Sequence, residues 1–418
     1  MLQPRGQRAA YAVGDSPMRI SVLAYGTHGD VAPSVALGAA LATRGHTVTL
    51  GAPRDFETLA QTGGLAFVPL SGDPRTWLAA PDAREMLAAG DVHGLVRVTR
   101  ARLAPLIDTL ADDVCRACEG AHVVVGSSVT SFLALTRAEA IGATPVLTEL
   151  TPLTPAAVAV TSVVGIDDLA SVRSRWGLPP HDGNPDGEAR ARGVPVVHAF
   201  SRHLMPRHPS WGASHVVCGA MTLDAGIEAR TDGAHRDAGF SAWLDDGPAP
   251  VYLGLGSLPV LDMPALVDLA AGVCRDAGLR AVVSAGTSGR LSGAERMTAD
   301  VYLIGACRHS WLLPRCTAVV HHGGAGTVHA VLAAGLPQVI CSVFSDQPFW
   351  GSLVQQHGLG VHLPFRHLSR KTLSPALAAA VSETVLTAAA DIGAKVRNEG
   401  GAAAAARHID EWISPPAS

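Results

Sequence analysis

Short apolar runs alternate with amphipathic stretches along most of the chain. Residues 18–25 form a β-rich run that breaks into a polar turn, Gly26 to Pro33; Ser34 to Arg44 then carries apolar residues at helical spacing and stops at Gly45. His46 to Ala52 reads as a second strand. A strand, helix and strand of these lengths require parallel pairing with a right-handed crossover. The same alternation continues as a strand over Leu65 to Leu70, one long amphipathic helix over Leu95 to Glu119, and a strand over His122 to Gly126. A helix over Ser131 to Ile141 and a strand over Thr144 to Leu150 follow. This pattern predicts a doubly wound α/β domain whose ligand lies beyond the carboxyl ends of the strands.

The pattern then lapses. Thr151 to Arg192 is rich in Pro, Gly, Asp and Arg and has no clear period, which suits either a wall for a lipophilic acceptor or an inert surface excursion. Between Arg202 and Ser214, the residues Pro206, Pro209 and Trp211, with His203 and His208, read as a linker. Its histidines lack the spacing of a zinc site. From Pro250 the alternation restarts: an apolar strand runs into a glycine turn with Gly256 and Ser257. Next come a helix over Leu266 to Asp276 and strands over Leu279 to Ser284, Val301 to Gly305 and Thr317 to His321. A helix over Val328 to Ala334, a strand over Gln338 to Val343 and a helix beginning near Pro348 complete the series.

Length and composition narrow the classes. At 418 residues the chain exceeds what one core usually organises, so two domains are expected, and 48% hydrophobic against 16% charged residues fills two cores and leaves little for extended disorder. A formal charge of −4 gives no basic footprint for nucleic acid or an anionic membrane. Residues 1–17 lack the apolar stretch of a signal peptide and read as a disordered leader. No run of about 18 apolar residues suggests a membrane span. Seven scattered cysteines do not form a disulfide framework and suit a reducing cytoplasm, with Cys115 and Cys118 read as buried thiols. Lys371 and Lys395 are the only lysines, which excludes lysine-dependent chemistry elsewhere.

Three stretches carry candidate chemistry. In Val319 to Thr327, the glycines Gly323, Gly324 and Gly326 let the backbone approach a ligand, and the helix that follows offers free N–H groups and the positive end of its dipole to an anion. His322 and Thr327 add donors. Gly26 and Gly29 lack the third glycine of a dinucleotide fingerprint, so that loop does not bind a nicotinamide. There Asp30 is open between helix capping and general base catalysis, and His28 is a second base candidate. Asp346 and Gln347, at the end of a strand, suit either a polyol or a helix cap.

Taken together these residues resemble the nucleotide-sugar-dependent glycosyltransferases of the B-type fold (GT-B), in the bacterial natural-product and sterol-type subgroup of the UDP-glycosyltransferase superfamily. The resemblance runs from Met18 onward and rests on residues 25–33, 321–327 and 344–351. It implies an α/β protein of two facing Rossmann-like domains with parallel sheets. The first, residues 18–201, would bind the acceptor; a linker of 202–214 leads to a donor domain of 215–393, and residues 394–418 would form a helix crossing back to the first domain. By the resemblance, His322 contacts the donor diphosphate, with Gly324, Ala325, Gly326 and Thr327 around the phosphates, and His321 is a structural residue at the strand end. Asp346 and Gln347 hold the sugar hydroxyls. Asp30 is the catalytic base, and Gly256 and Ser257 form a second donor loop. Arg308, His309 and Trp311 flank the nucleobase. Three departures leave the nucleotide open between uridine and thymidine diphosphate, with a tilt to thymidine, and leave the acid-base arrangement open. His28 stands where arginine is common, Ala330 where the plant branch has glutamate, and Ala306 near where it has tryptophan.

The reaction so implied is inverting transfer of a sugar from a dTDP- or UDP-sugar to a hydroxyl of a lipophilic aglycone, with no cofactor and no metal. The partners expected are the aglycone and the nucleotide sugar, with no nucleic acid and no stable membrane insertion, for a cytoplasmic monomer or homodimer. The alternatives are a sterol or lipid glucosyltransferase and a non-catalytic nucleotide-sugar-binding subunit of a partner transferase.

Overall fold

The computed structural model describes residues 17–152, 166–180, 191–230, 237–255, 263–286 and 293–414, together with 187, 189 and 291. The expected leader falls almost wholly outside the described residues, as does much of the Thr151 to Arg192 stretch.

The first half is built on a sheet of seven parallel strands in the order β3-β2-β1-β4-β5-β6-β7. They are β1 (Arg19–Leu23), β2 (Thr47–Pro53), β3 (Ala66–Leu70), β4 (Val123–Ser127), β5 (Thr144–Glu149), β6 (Val196–His198) and β7 (His215–Val217). Val123, Val124 and Val125 are all fully buried, although adjacent residues of a strand point to opposite faces. That is why the apolar runs are continuous: helices cover both faces. The chain reverses direction of winding between β1 and β4, which opens a crevice at their carboxyl ends.

The second half repeats the plan with the order β10-β11-β9-β8-β12-β13-β14. Its strands are β8 (Val251–Gly254), β9 (Ala281–Ser284), β10 (Ala294–Arg296), β11 (Val301–Ile304), β12 (Ala318–His321), β13 (Gln338–Ser342) and β14 (Gly360–Pro364). Only β10 is antiparallel, on the edge beside β11. The switch point lies between β8 and β12, where His321 pairs in register with Gly254. The expected pair of Rossmann-like domains with parallel sheets is present.

Several boundaries differ from expectation. The helix foreseen over Leu95 to Glu119 is two helices, Val92–Leu103 and Ile107–Ala117, separated by a short turn over Ala104–Leu106. Pro105 lies in that turn and has no N–H to continue the ladder. The first helix spans His28–Thr43 and so begins six residues before Ser34, with Pro33 inside it. β7 pairs with β6 in the first sheet, so residues 215–217 belong to the first half, and the stretch read as an interdomain linker joins two strands of that half. Three residues are too few to show a strand period. Last, the terminal helix is Gly401–Ile413 and not a continuation from Ala394: the preceding helix, Glu383–Val396, ends before Gly400 and Gly401, whose φ values of 88° and 46° turn the chain.

That terminal helix does cross back. Ala404, Ala405, Ala406 and Ile409 are part of the core of the first half, and Asp410 binds Arg44 and His46 at the end of the first helix. The halves also share a second core, in which Phe200 and Leu204 of the first half pack with Val328, Leu332, Ile340 and Trp350 of the second. Among the described residues no single helix is long and apolar enough to cross a membrane.

Candidate functional site

The glycine-rich turn forms one wall of a cleft between the halves. Leaving β12, the chain turns at Gly323 with φ 91°, where a Cβ would lie 2.6 Å from Ile340 Cγ2. Gly324 is the N-cap of the helix Ala325–Ala334, which therefore starts three residues earlier than the apolar period indicated. No side chain caps it, so the N–H groups of Ala325, Gly326 and Thr327 stay available in its first turn. A Cβ on Gly324 would lie 2.6 Å from His322 Nε2, which places the imidazole directly over that residue.

The two neighbouring histidines differ in kind. His321 is fully buried and locked: its Nδ1 accepts from Gly323 N–H at 3.1 Å and its Nε2 pairs with Gln338 Oε1 at 2.8 Å. Burial pushes its pKa down to about 3. His322 is only half-buried, yet its Nδ1 is enclosed and has no partner in the protein. Burial, with the neighbouring His309 acting the same way, brings its pKa to about 4. A neutral imidazole with an unsatisfied nitrogen thus lies beside helix N–H groups that no side chain caps.

The facing wall comes from the first half. Asp30 is the third residue of the first helix and not a loop residue; Thr27 is the N-cap. Asp30 Oδ2 accepts from Thr27 N–H at 2.7 Å and from Thr27 Oγ1 at 3.2 Å, completing a capping box. The capping role and exposure to the cleft thus coexist. Gly26, at φ 142°, leaves room for that carboxylate, since a Cβ there would stand 2.3 Å from Asp30 Oδ2. Burial raises the Asp30 pKa, opposed by the two bonds from Thr27. His28 is exposed at the start of the same helix.

Asp346 and Gln347 follow β13. Asp346 is the N-cap of the helix Gln347–Gln356 but makes no capping bond with its side chain. Instead its Oδ2 accepts from Trp350 Nε1 at 2.9 Å. Burial raises its pKa to about 6, and the charge of Asp30, from the other half, adds to the rise. Gln347 Oε1 accepts from Val343 N–H at 2.8 Å and Phe344 N–H at 3.2 Å, closing the turn and leaving its amide N–H donors for a ligand. Ser345 has φ 58° and is the only described residue other than glycine with positive φ; such strain gathers at ligand sites. Phe344 seats against Ala83, Leu87 and Leu95 of the first half.

Of the nucleobase group, Arg308 has a buried Nε without a partner. His309 is brought to about 4 by burial and by His28 from the opposite wall. Trp311 is engaged by protein: its ring lies 6.1 Å from Phe240 and Arg315 stacks on it at 4.6 Å. Gly256 and Ser257 lie outside the described residues. Sequence reasoning overlooked two side chains beneath the site, Trp350 and His329. Trp350 stands inside the 344–351 motif and was findable there, whereas His329 reads as one more position on a buried helix.

The N-terminal domain of glycosyltransferase family 28 matches residues 20–109, and the C-terminal domain of the erythromycin biosynthesis protein CIII-like family matches residues 280–410. The chain is 30% identical over 427 residues to the O-mycaminosyltylonolide 6-deoxyallosyltransferase of Streptomyces fradiae, covering 94% of this chain and 97% of that protein. It is 29% identical over 434 residues to a sterol 3-beta-glucosyltransferase of Arabidopsis thaliana, covering 96% of this chain and 70% of the relative. Among solved structures, the glycosyltransferase VinC in complex with dTDP superposes with a TM-score of 0.68 at 19% identity, over 95% of this chain and 99% of its own.

Proposed function

The chain belongs to the nucleotide-sugar-dependent glycosyltransferases of the GT-B fold, of the natural-product and sterol type, and we propose that it transfers a sugar from a nucleoside diphosphate to a hydroxyl of a lipophilic aglycone with inversion. Asp30 is the general base. The acceptor oxygen loses its proton to Asp30 and attacks the anomeric carbon, the bond to the diphosphate oxygen breaks, and the diphosphate leaves with the electron pair.

The observation that carries this reading is that Asp30 of the first half is near enough to Asp346 of the second for its charge to raise the Asp346 pKa, with the glycine-rich turn following the strand next to the one that precedes Asp346. A base with a raised pKa is better matched to an alcohol than an ordinary aspartate. Opposite it, the N–H groups of Ala325, Gly326 and Thr327 and the ring of His322 point where leaving-group charge develops. One such donor contributes about 3 to 4 kcal/mol. The helix end supplies the positive potential and neutral His322 a hydrogen bond, and on this reading the reaction needs neither metal nor cofactor. Asp346 and the amide of Gln347 hold the sugar hydroxyls.

A thymidine diphosphate donor is favoured by the dTDP bound to VinC, and an apolar acceptor by the macrolide and sterol substrates in the names of the two relatives. The deciding experiment is Asp30→Asn: turnover falls by about 10² to 10⁴-fold while the affinity for dTDP or UDP stays within about twofold. Unchanged turnover removes Asp30 from the base role. If the wild-type protein releases no nucleoside diphosphate with any donor and acceptor yet activates another transferase, it is an auxiliary subunit.

A further inference from the structure

The connection between β6 and β7 belongs to the first half but runs beneath the donor site of the second. Ser201 N–H donates to His329 Nε2 at 2.9 Å, and the other ring nitrogen, Nδ1, bonds Ala325 O at 2.7 Å. A ring that accepts at Nε2 must carry its proton on Nδ1, so His329 is a neutral imidazole of one tautomer, donating to Ala325. Ala325 opens the helix turn assigned to the diphosphate. His329 therefore spans the first half and the anion-binding turn with a pair of hydrogen bonds, at 1% exposure.

Trp350 makes a parallel link. It is fully buried, its ring meets Phe200 edge-on at 5.8 Å and His329 edge-on at 5.1 Å, and its Nε1–H holds Asp346. The same connection is pinned from the far side, where Arg202 N–H donates to Glu399 Oε1 at 2.8 Å. Residues 200–202 thus touch the supports of both the phosphate turn and the sugar-holding carboxylate. Packed elements of this kind shift between discrete arrangements, which lets a movement of one half bias the other.

We propose that His329 and Trp350 are positioning residues through which the β6–β7 connection of the first half sets the donor-binding geometry of the second, so that donor binding and the relative placement of the halves are coupled. This rests on the assignment of the glycine-rich turn and Asp346 to the nucleotide sugar. Neither residue faces the cleft.

The test compares His329→Phe, which keeps a ring against Trp350 but removes both hydrogen bonds, with His329→Gln, which restores an acceptor for Ser201 N–H. Titration calorimetry with dTDP and UDP alone is the readout, beside donor and acceptor KM. The phenylalanine variant is expected to weaken nucleoside diphosphate binding and raise donor KM by about fivefold or more, the lower end of typical site coupling, with acceptor KM unchanged. Glutamine is expected to recover most of that loss. Equal affinity in wild type and the phenylalanine variant overturns the proposal even if the melting temperature falls, as does a glutamine variant no better than phenylalanine. Phe200→Leu, altered only on the first half, is expected to weaken the same binding and decides the matter if His329→Phe does not fold; unchanged affinity in it overturns the coupling. A wild-type protein that binds neither nucleotide overturns the donor-site assignment and the proposal with it, a result distinct from tight wild-type binding that the variants leave unmoved.

Discussion

Asp30 and Asp346 lie on opposite halves of the molecule, and the charge of the first reinforces burial in raising the carboxyl of the second to about 6. Asp346 is consequently ionised above pH 6 and protonated below it. Asp346→Asn keeps an oxygen for the Trp350 N–H and removes the charge. Donor kcat/KM is expected to fall about 10 to 100-fold, the range for a hydrogen bond to a charged group of about 1.5 to 3 kcal/mol. In the wild type donor KM rises as pH drops through 6, and in the variant that rise is absent. A wild-type donor KM that stays flat from pH 7.5 to 5 removes the charged form of Asp346 from donor binding.

Thr27 tunes the base. Its backbone N–H and hydroxyl both favour the ionised form of Asp30. Thr27→Ala deletes the hydroxyl, so the Asp30 pKa rises further and the acid limb of the pH–rate profile moves to higher pH. Loss of the cap costs about 1 kcal/mol of stability. Calorimetry and a pH profile of kcat together check this, and a limb shifted to lower pH contradicts the capping-box account.

His322→Ala leaves the helix N–H groups in place and removes the side-chain donor. A fall of about 10² to 10³ in kcat is expected, as for other single donors to a developing anion. Single-turnover kinetics separate this from a product-release effect. A variant that retains wild-type kcat shows that the ring does not meet the leaving group.

Acid should unfold this protein through its histidines. The pKa values of His309, His322 and His329 are near 4 and that of His321 near 3, all depressed first by burial. Unfolded, each takes up a proton near pH 6.5. Between pH 6.5 and 4 the unfolded chain binds more protons, so stability falls as pH falls, by up to ~1.4 kcal/mol per pH unit for each histidine. Asp346 acts in the opposite sense between its ordinary value of 3.8 and about 6, because the folded state keeps its proton there, and offsets one of the four. Thermal melts from pH 7 to 5 are expected to show a steep loss. His329→Gln, if folded, gives a shallower one.

Much of this was legible in the chain because parallel strands buried on both faces leave uninterrupted apolar runs; the helix Ser131–Ile141 appears at the residues its period indicated. The glycine-rich turn was readable for the same reason, since it follows directly on such a run. Helix starts were less so. The first turns at His28 and Ala325 carry polar or small residues that face a cleft, so the apolar period begins only a turn later. β7 was hidden by its length, and the link from Ser201 to His329 spans 128 positions and leaves no local signature.

The terminal helix has one more consequence. Ala404, Ala405, Ala406 and Ile409 complete a hydrophobic core otherwise assembled from residues before 225. During synthesis the amino-terminal half therefore emerges with its core open, and waits through the translation of roughly two hundred further residues before the last piece arrives. Domains commonly fold in order as they leave the ribosome. Here the two halves are obliged to finish together, and a ribosome that stalls short of residue 400 releases a first half with an unfilled apolar face.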